Sequence, residues 1–409
     1  MENEQTKNVI RVGSRKSQLA LIQTNHVIDC LKKVHPDKEF KLVSMTTLGD
    51  RVLDVSLPKI GEKSLFTKDL EDALNNNTVD FVVHSLKDLP TSLPDGLAIG
   101  AVFEREDPRD ALVLRDDIKK TCLEELPEGS VIGTSSLRRT AQLRGSFPKL
   151  NVIDVRGNLN TRLKKLDDPT TEYSALLLAS AGLHRMGWAH RITKLLPCSD
   201  MMYAVGQGAL AIECRSDNEE ILEMLAPFNH PETYCRILAE RSFLKTLGGG
   251  CSAPVGVSTK LKKTDTKFCL SITGGVWSLD GNTKIIHSLE QTFEQIKTTP
   301  KHKLSPTEDG SSKKIKVGDT TDQKCNPLAT LDDTVKNGEA NCEELRSTEE
   351  VKGCRKIYCG LTENFNIPTD VIEKCDEIGR DLANSLIEKG ALDVMKVTQD
   401  LIRSSVVKS

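Results

Sequence analysis

Between Thr134 and Arg162 the chain places six basic residues, Arg138, Arg139, Arg144, Lys149, Arg156 and Arg162, against one acid, Asp154. A guanidinium is a planar fork that pairs bidentately with carboxylate or phosphate. Several of these arginines fall where strands should hand over to helices, whose N-termini add N–H donors and a favourable dipole. With the hydroxyls of Ser135 and Ser136, the pattern fits a pocket for a ligand with several anionic groups; a solvated basic face has the same charge count. Arg15, with Lys16 and Ser17, opens the first helix in the same way. Asp88 follows the buried run Val79–His84, at the end of a strand where open α/β sheets place active groups. Beside Lys87 its charge is retained, and it can exchange a proton with a ligand nitrogen; the alternative is a surface ion pair in a βα loop. His84 itself is assigned to the core or to a strand-end hydrogen bond. Cys251 sits in Leu247-Gly248-Gly249-Gly250-Cys251-Ser252, where glycines strip side-chain cover from a thiol, as covalent chemistry requires. No histidine stands near it in sequence, so a thiol-protease arrangement has little support.

Short apolar runs alternating with helical patterns must position these residues, which predicts parallel α/β architecture. Val9–Val12, Phe40–Met45 and Val79–His84 read as strands, with helical spacing from Ala20 to Leu31 and from Leu65 to Leu74. A second set follows at Ala111–Leu114, Val131–Gly133, Val152–Val155 and Ala175–Ala179. Ile132-Gly133-Thr134-Ser135 echoes Val12-Gly13-Ser14-Arg15, as expected of two similar domains facing each other across a cleft. Met202–Leu210 reads as a crossing between them. A third unit begins near Pro231, with a helix over Arg236–Leu247, paired strands around the Asp280-Gly281 turn, and helical patterns through Val371–Glu388 and Val394–Leu401. No aromatic residue occurs between Phe293 and Tyr358, and residues 296–353 read as a solvated, disordered insertion.

Composition narrows the function classes. Among 409 residues, Lys and Arg total 56 and Asp and Glu 59, a net charge of -3 that argues against a general nucleic-acid binder. No run approaches the roughly 20 apolar residues of a membrane span. The opening Met1-Glu2-Asn3-Glu4-Gln5 lacks the pattern of a signal or transit peptide, so a cytosolic protein is expected. Twelve cysteines with no CxxC pair, and no histidines at ligand spacing, point to reduced thiols and no metal site.

Five motifs together resemble the porphobilinogen deaminase (hydroxymethylbilane synthase) family, its animal form in particular: Arg15-Lys16-Ser17-Gln18-Leu19-Ala20, Val83-His84-Ser85-Leu86-Lys87-Asp88-Leu89-Pro90, Gly133-Thr134-Ser135-Ser136-Leu137-Arg138-Arg139, Arg156-Gly157-Asn158-Leu159-Asn160-Thr161-Arg162 and Gly249-Gly250-Cys251-Ser252. The likeness runs from about Val9 to Gly281 and resumes weakly over the last fifty residues. It implies two lobes like those of type II periplasmic binding proteins plus a smaller α+β C-terminal domain. The expected boundaries are 1–105 with 205–229, then 106–204, then 230–409. It implies a dipyrromethane cofactor in thioether linkage to Cys251, on which four porphobilinogen units join head to tail, each losing ammonia, before water releases hydroxymethylbilane. Asp88 is then the catalytic carboxylate. Arg15, Arg138, Arg139, Arg156, Arg162 and Arg185 match positions that bind carboxylates; Ser17, Ser85, Lys87, Thr134, Ser135 and Ser136 assist, and Gln23 and Gln207 match further cleft positions. No obligate interface is suggested, so a monomer acting on porphobilinogen, without nucleic acid or membrane, is expected. The rivals are a solute-binding or sensor protein built from the same two lobes, and an enzyme using a free Cys251 thiolate.

Overall fold

The computed structural model describes residues 9–51, 67–248, 253–264, 267–294 and 355–407. In chain order the elements that matter to the site are β1 (Val9–Arg15), α1 (Gln18–Val34), β2 (Glu39–Met45), α2 (Lys68–Asn75), β3 (Phe81–Ser85), β4 (Leu97–Val102) and β5 (Asp110–Leu114). Next come β6 (Val131–Gly133), α3 (Leu137–Ser146), β7 (Asn151–Ile153), α4 (Leu159–Asp167), β8 (Tyr173–Ala179), α5 (Ser180–Arg185), β9 (Lys194–Leu195) and β10 (Leu210–Arg215). The remainder comprises α6 (Glu219–Leu225), α7 (Pro231–Thr246), β11 (Val255–Lys263), β12 (Lys267–Trp277), β13 (Lys284–Glu294), β14 (Ile357–Tyr358), β15 (Leu361–Thr362), α8 (Thr369–Glu388) and α9 (Ala391–Val407).

Two of the three sheets share one strand order. The first lobe runs β2-β1-β3-β10-β4, extended by β15 and β14; the second runs β7-β6-β8-β5-β9. In each, the first three strands are parallel and the fourth is antiparallel. The sheets are therefore mixed where the sequence pattern predicts parallel ones. The reason is topological: β5 enters the second sheet from the first lobe, and β10 returns from the second lobe to the first, so each runs against its neighbours. Apolar runs in buried strands do not encode direction. The Gly13 and Gly133 echo falls on equivalent strands, β1 and β6.

The central strands carry apolar runs that span both faces, as two covered faces require. Phe81, Val82 and Val83 of β3 and Ala98, Ile99 and Ala101 of β4 are all but inaccessible. The first lobe's core gathers Val12, Val27, Leu31, Phe81, Ile212 and Leu222, and the second lobe's gathers Leu112, Ile132, Leu143, Ala175 and Leu177. The third unit is the antiparallel sheet β11-β12-β13, whose hairpin turns at Asp280-Gly281 with Gly281 at φ +79°. Helix α7 is buried over most of its surface, Glu240 and Arg241 included, because it lies inside a cluster that joins Leu86 and Ile99 of the first lobe to Val257, Ile272, Ile372 and Leu382. The segment 357–362, expected in the third domain, instead adds β14 and β15 to the first lobe's sheet, with Leu361 beside Ile99. Residues 296–353, read as an insertion, and Cys251 lie outside the described residues.

Candidate active site

The ends of β1 and β3, the starts of α1, α4 and α5, and the crossover before β10 converge on a cleft of about 310 Å³. From the first lobe come Arg15, Ser17, Gln23, Ser85, Lys87 and Asp88; from the second come Ser135, Arg139, Arg156, Arg162 and Arg185; Gln207 enters from the crossover. Local structure accounts for several of these positions. Ser17 caps α1 by accepting the Ala20 N–H at 3.4 Å. Gln23, buried on α1, donates to Ser85 Oγ at 2.9 Å, which ties the helix to the end of β3. After Ser85 a single 3-10 turn, Leu86–Asp88, buries Leu86 and leaves Asp88 exposed. Ser135 lines the cleft and donates to the Val155 carbonyl.

The arginine cluster divides. Arg139 donates to Asp110 Oδ1 at 2.7 Å and to the Leu177 carbonyl at 2.9 Å while lining the cleft. Arg138, expected at the ligand, is not part of the lining: it points inward to Asp110 Oδ2 at 2.7 Å and to the Met202 carbonyl. Adjacent helical residues project about 100° apart, so one faces the cleft and its neighbour the interior. Thr134 is likewise turned inward, accepting the Ser136 N–H at 3.2 Å, and Ser136 stands at the N-cap of α3 outside the lining. Arg144 and Lys149 leave the cluster altogether, donating to the carbonyls of Leu279 and Glu124. Arg185 donates to Glu106 at 2.7 Å and to the Gly208 carbonyl at 2.8 Å. Arg156 pairs with Asp154.

Two cations stand apart. Among the described residues, no carboxylate lies within ion-pair distance of Lys87 or Arg162; Arg162 Nε donates to the Gly157 carbonyl at 2.8 Å. Burial pushes the Lys87 ammonium below its ordinary pKa, against the opposing pull of Asp88. Burial and the neighbouring charge of Arg139 do the same to Arg162. Asp88 is the one acid among the described residues of the lining. The cleft therefore has a surplus of desolvated positive charge that an anionic ligand would neutralise, with a single exposed carboxylate among it.

Sequence reasoning missed Asp110, the acceptor for both Arg138 and Arg139. Burial pushes its carboxyl up, but the two guanidinium groups outweigh that and hold it well below the usual carboxylate range. Its signal was faint: one acid directly before an apolar strand. Asn158 and Asn160, which also line the cleft, lay inside a quoted motif but were not singled out. His84 makes the strand-end bond expected of it, Nε2 to Glu213 Oε2 at 2.9 Å. Among the described residues no helix is long and apolar enough to cross a membrane.

A family model described as "Porphobilinogen deaminase, dipyromethane cofactor binding domain" matches residues 10–223, and one described as "Porphobilinogen deaminase, C-terminal domain" matches residues 234–301. The chain is 57% identical over 272 residues to a porphobilinogen deaminase of Synechococcus elongatus, covering 66% of this chain and 83% of that protein. It is 53% identical over 279 residues to a porphobilinogen deaminase of a Nostoc species, covering 68% and 84%. Among solved structures, the periplasmic aliphatic sulphonate binding protein SsuA of Escherichia coli matches with a TM-score of 0.31 at 10% identity, over 58% of this chain and 70% of that one. A probable amino-acid transporter binding protein of Bacillus subtilis matches at 0.35 and 13%, over 58% and 96%.

Proposed function

The chain belongs to the porphobilinogen deaminase family, and from that membership we propose how its cleft works. The enzyme condenses four porphobilinogen molecules head to tail, with loss of four ammonia, on a covalently held dipyrromethane, and releases hydroxymethylbilane by hydrolysis. Each porphobilinogen ring carries an acetate and a propionate, so a chain of rings accumulates carboxylates. The observation that carries the reading is the pair of desolvated cations without a carboxylate partner among the described residues, Lys87 and Arg162, facing one exposed acid, Asp88.

The same surplus supports the fit of the dipyrromethane. Lys87, Arg162 and Arg139, with Arg15, Arg156 and Arg185, would hold its carboxylates, and Ser17, Ser85 and Ser135 would add hydrogen bonds. When bound, the dipyrromethane supplies the nucleophilic pyrrole carbon that chain growth needs. Asp88 stabilises the positive charge that develops on the substrate as ammonia departs, and it takes up the proton lost when the ring regains aromaticity. Attachment at Cys251, and the division into domains of 1–105 with 205–229, 106–204 and 230–409, the strand pair within 357–362 excepted, are part of the proposal. So are cytosolic operation as a monomer and the finer likeness to the animal form, which rests on the motifs alone, since the relatives described above are cyanobacterial.

Intact-protein mass of freshly purified enzyme tests the reading. The expected result is the chain mass plus two pyrrole units, lost in Cys251→Ser. A bare chain mass, together with no ammonia release from porphobilinogen, would leave the solute-binding reading in its place. An adduct persisting in Cys251→Ser would move the attachment point elsewhere.

A further inference from the structure

Asp110 opens β5, immediately after the first crossover between the lobes, and its side chain is fully buried. Three donors converge on it. Arg138 reaches Oδ2 at 2.7 Å, and Oδ1 accepts from Arg139 at 2.7 Å and from Gln207 Nε2 at 2.8 Å. Gln207 lies in the second crossover, residues 196–209, so this one carboxylate fastens both crossovers to the first turn of α3. Two arginines there oppose the helix dipole, and the carboxylate offsets part of that cost.

The geometry leaves an imbalance. The Gln207 amide has two N–H donors, and both are taken: one by Asp110 and one by the Pro108 carbonyl at 2.7 Å. Two acceptors at that end fix which atom of the amide is nitrogen. Its Oε1 is then the only acceptor left, and it is buried without a donor. Arg139 is held by Asp110 and the Leu177 carbonyl through its terminal nitrogens, and its Nε is buried without an acceptor. Buried polar atoms without partners are uncommon and costly. Among the described residues eight side-chain atoms are so placed, Arg138 Nε among them, and the two that belong to side chains lining the cleft are Arg139 Nε and Gln207 Oε1, which share one carboxylate.

Porphobilinogen carries both complements, a carboxylate acceptor and a pyrrole N–H donor. We propose that Asp110 is a positioning residue for the condensation: it locks Arg139 and Gln207 so that Arg139 Nε remains for a ligand carboxylate and Gln207 Oε1 for a pyrrole N–H. The inference rests on the cleft function proposed above and adds to it the group that orients the binding side chains. Asp110 touches no substrate in this scheme and acts through its two partners.

The test compares Asp110→Asn with Asp80→Asn in the purified full-length enzyme. Asp80 is a matched control: it accepts from Arg11 at 2.7 Å and lies 3.8 Å from Arg215, just before β3 and at the opposite end of that strand from Ser85. Asp110→Asn should raise KM for porphobilinogen about tenfold or more while kcat falls less than about threefold, the signature of lost binding and not lost chemistry. Asp80→Asn should lower Tm and leave KM within about twofold of the wild type. A second readout is inhibition by the furan analogue of porphobilinogen, which has no ring N–H. The wild type should bind it about tenfold more weakly than a pyrrole inhibitor of the same substituents, and Asp110→Asn should cut that preference below about threefold. If Asp110→Asn yields no folded protein, Asp110→Glu keeps the charge, displaces it by one methylene, and is judged by the same two ratios. Unchanged KM and an unchanged preference, or equal KM effects from Asp80→Asn, would overturn the proposal. The wild-type arm separates the two levels: no turnover there overturns the function and this inference with it, whereas turnover there with an unaffected variant overturns the inference alone.

Discussion

At the ends of β1 and β3 the first lobe presents Arg15, Ser85, Lys87 and Asp88, whereas the ends of β6 and β7 and the helices α3 and α4 that follow them in the second lobe present Ser135, Arg139, Arg156 and Arg162. The strand orders are the same, and even the glycine before each turn is repeated. Yet the only carboxylate of the described lining is on one side, and the charged residues of the lining on the other side are all cations. Under the proposed function a duplicated scaffold divides the work: the first lobe would carry the group that moves a proton, and the second would hold anions against it. Acid and base chemistry needs one well-placed carboxylate, while a growing polyanion needs many cations, and two loop sets on one architecture supply both.

The comparison breaks most sharply at Asp88. Asp88→Asn should keep the covalent adduct and the fold, because residue 88 is exposed, but lower ammonia release at least about a hundredfold with little change in KM. Near-normal release would remove the first lobe's special role. On the other side, Arg162→Leu should act on binding, raising KM about tenfold or more with a smaller loss in kcat; the reverse split would mean that the second lobe also takes part in the chemistry. Lys87 gives a pH test. Its pKa is lowered in the ligand-free protein, so as pH rises its charge is lost before an ordinary lysine at about 10.4 would lose it. KM should therefore rise on the alkaline side, and Lys87→Arg, which cannot lose its proton, should flatten that limb in a KM profile from about pH 7 to 10. The smallest effects test the scaffold itself. A Cβ on Gly133 would stand 2.5 Å from Leu176 and 2.9 Å from Tyr173, against 2.9 Å from Val82 for one on Gly13. Gly133→Ala should cost about 1–3 kcal/mol and Gly13→Ala less, read as a drop in Tm that is larger for the second lobe.

Much of the site could be read before the fold. Arg15, Lys87, Asp88, Arg139, Arg156 and Arg162 stand in motifs at strand ends, and all of them line the cleft. The legible part is local: a strand, a turn, then a charged residue at a helix start is a pattern of near neighbours. What failed was of two kinds. Arg138 was grouped with Arg139 because sequence adjacency cannot tell which neighbour on a helix faces a cleft and which faces a buried acid twenty-eight positions away. The pattern predicts β5 as parallel and does not mark β4, β9, β10, β14 or β15 as strands, because short strands acquire direction and place only from the sheet they join.

By itself, the chain's sequence determined which residues carry charge and reactivity, that they sit at strand ends, and that the architecture repeats, because these follow from local periodicity and composition. Only the tertiary structure decided which of those charges are neutralised within the protein and which are left for a ligand. That depends on partners distant in sequence, such as Asp110 with Arg138 and Arg139, and on the loss of water around Lys87 and Arg162, which exists only once the lobes are packed around the cleft.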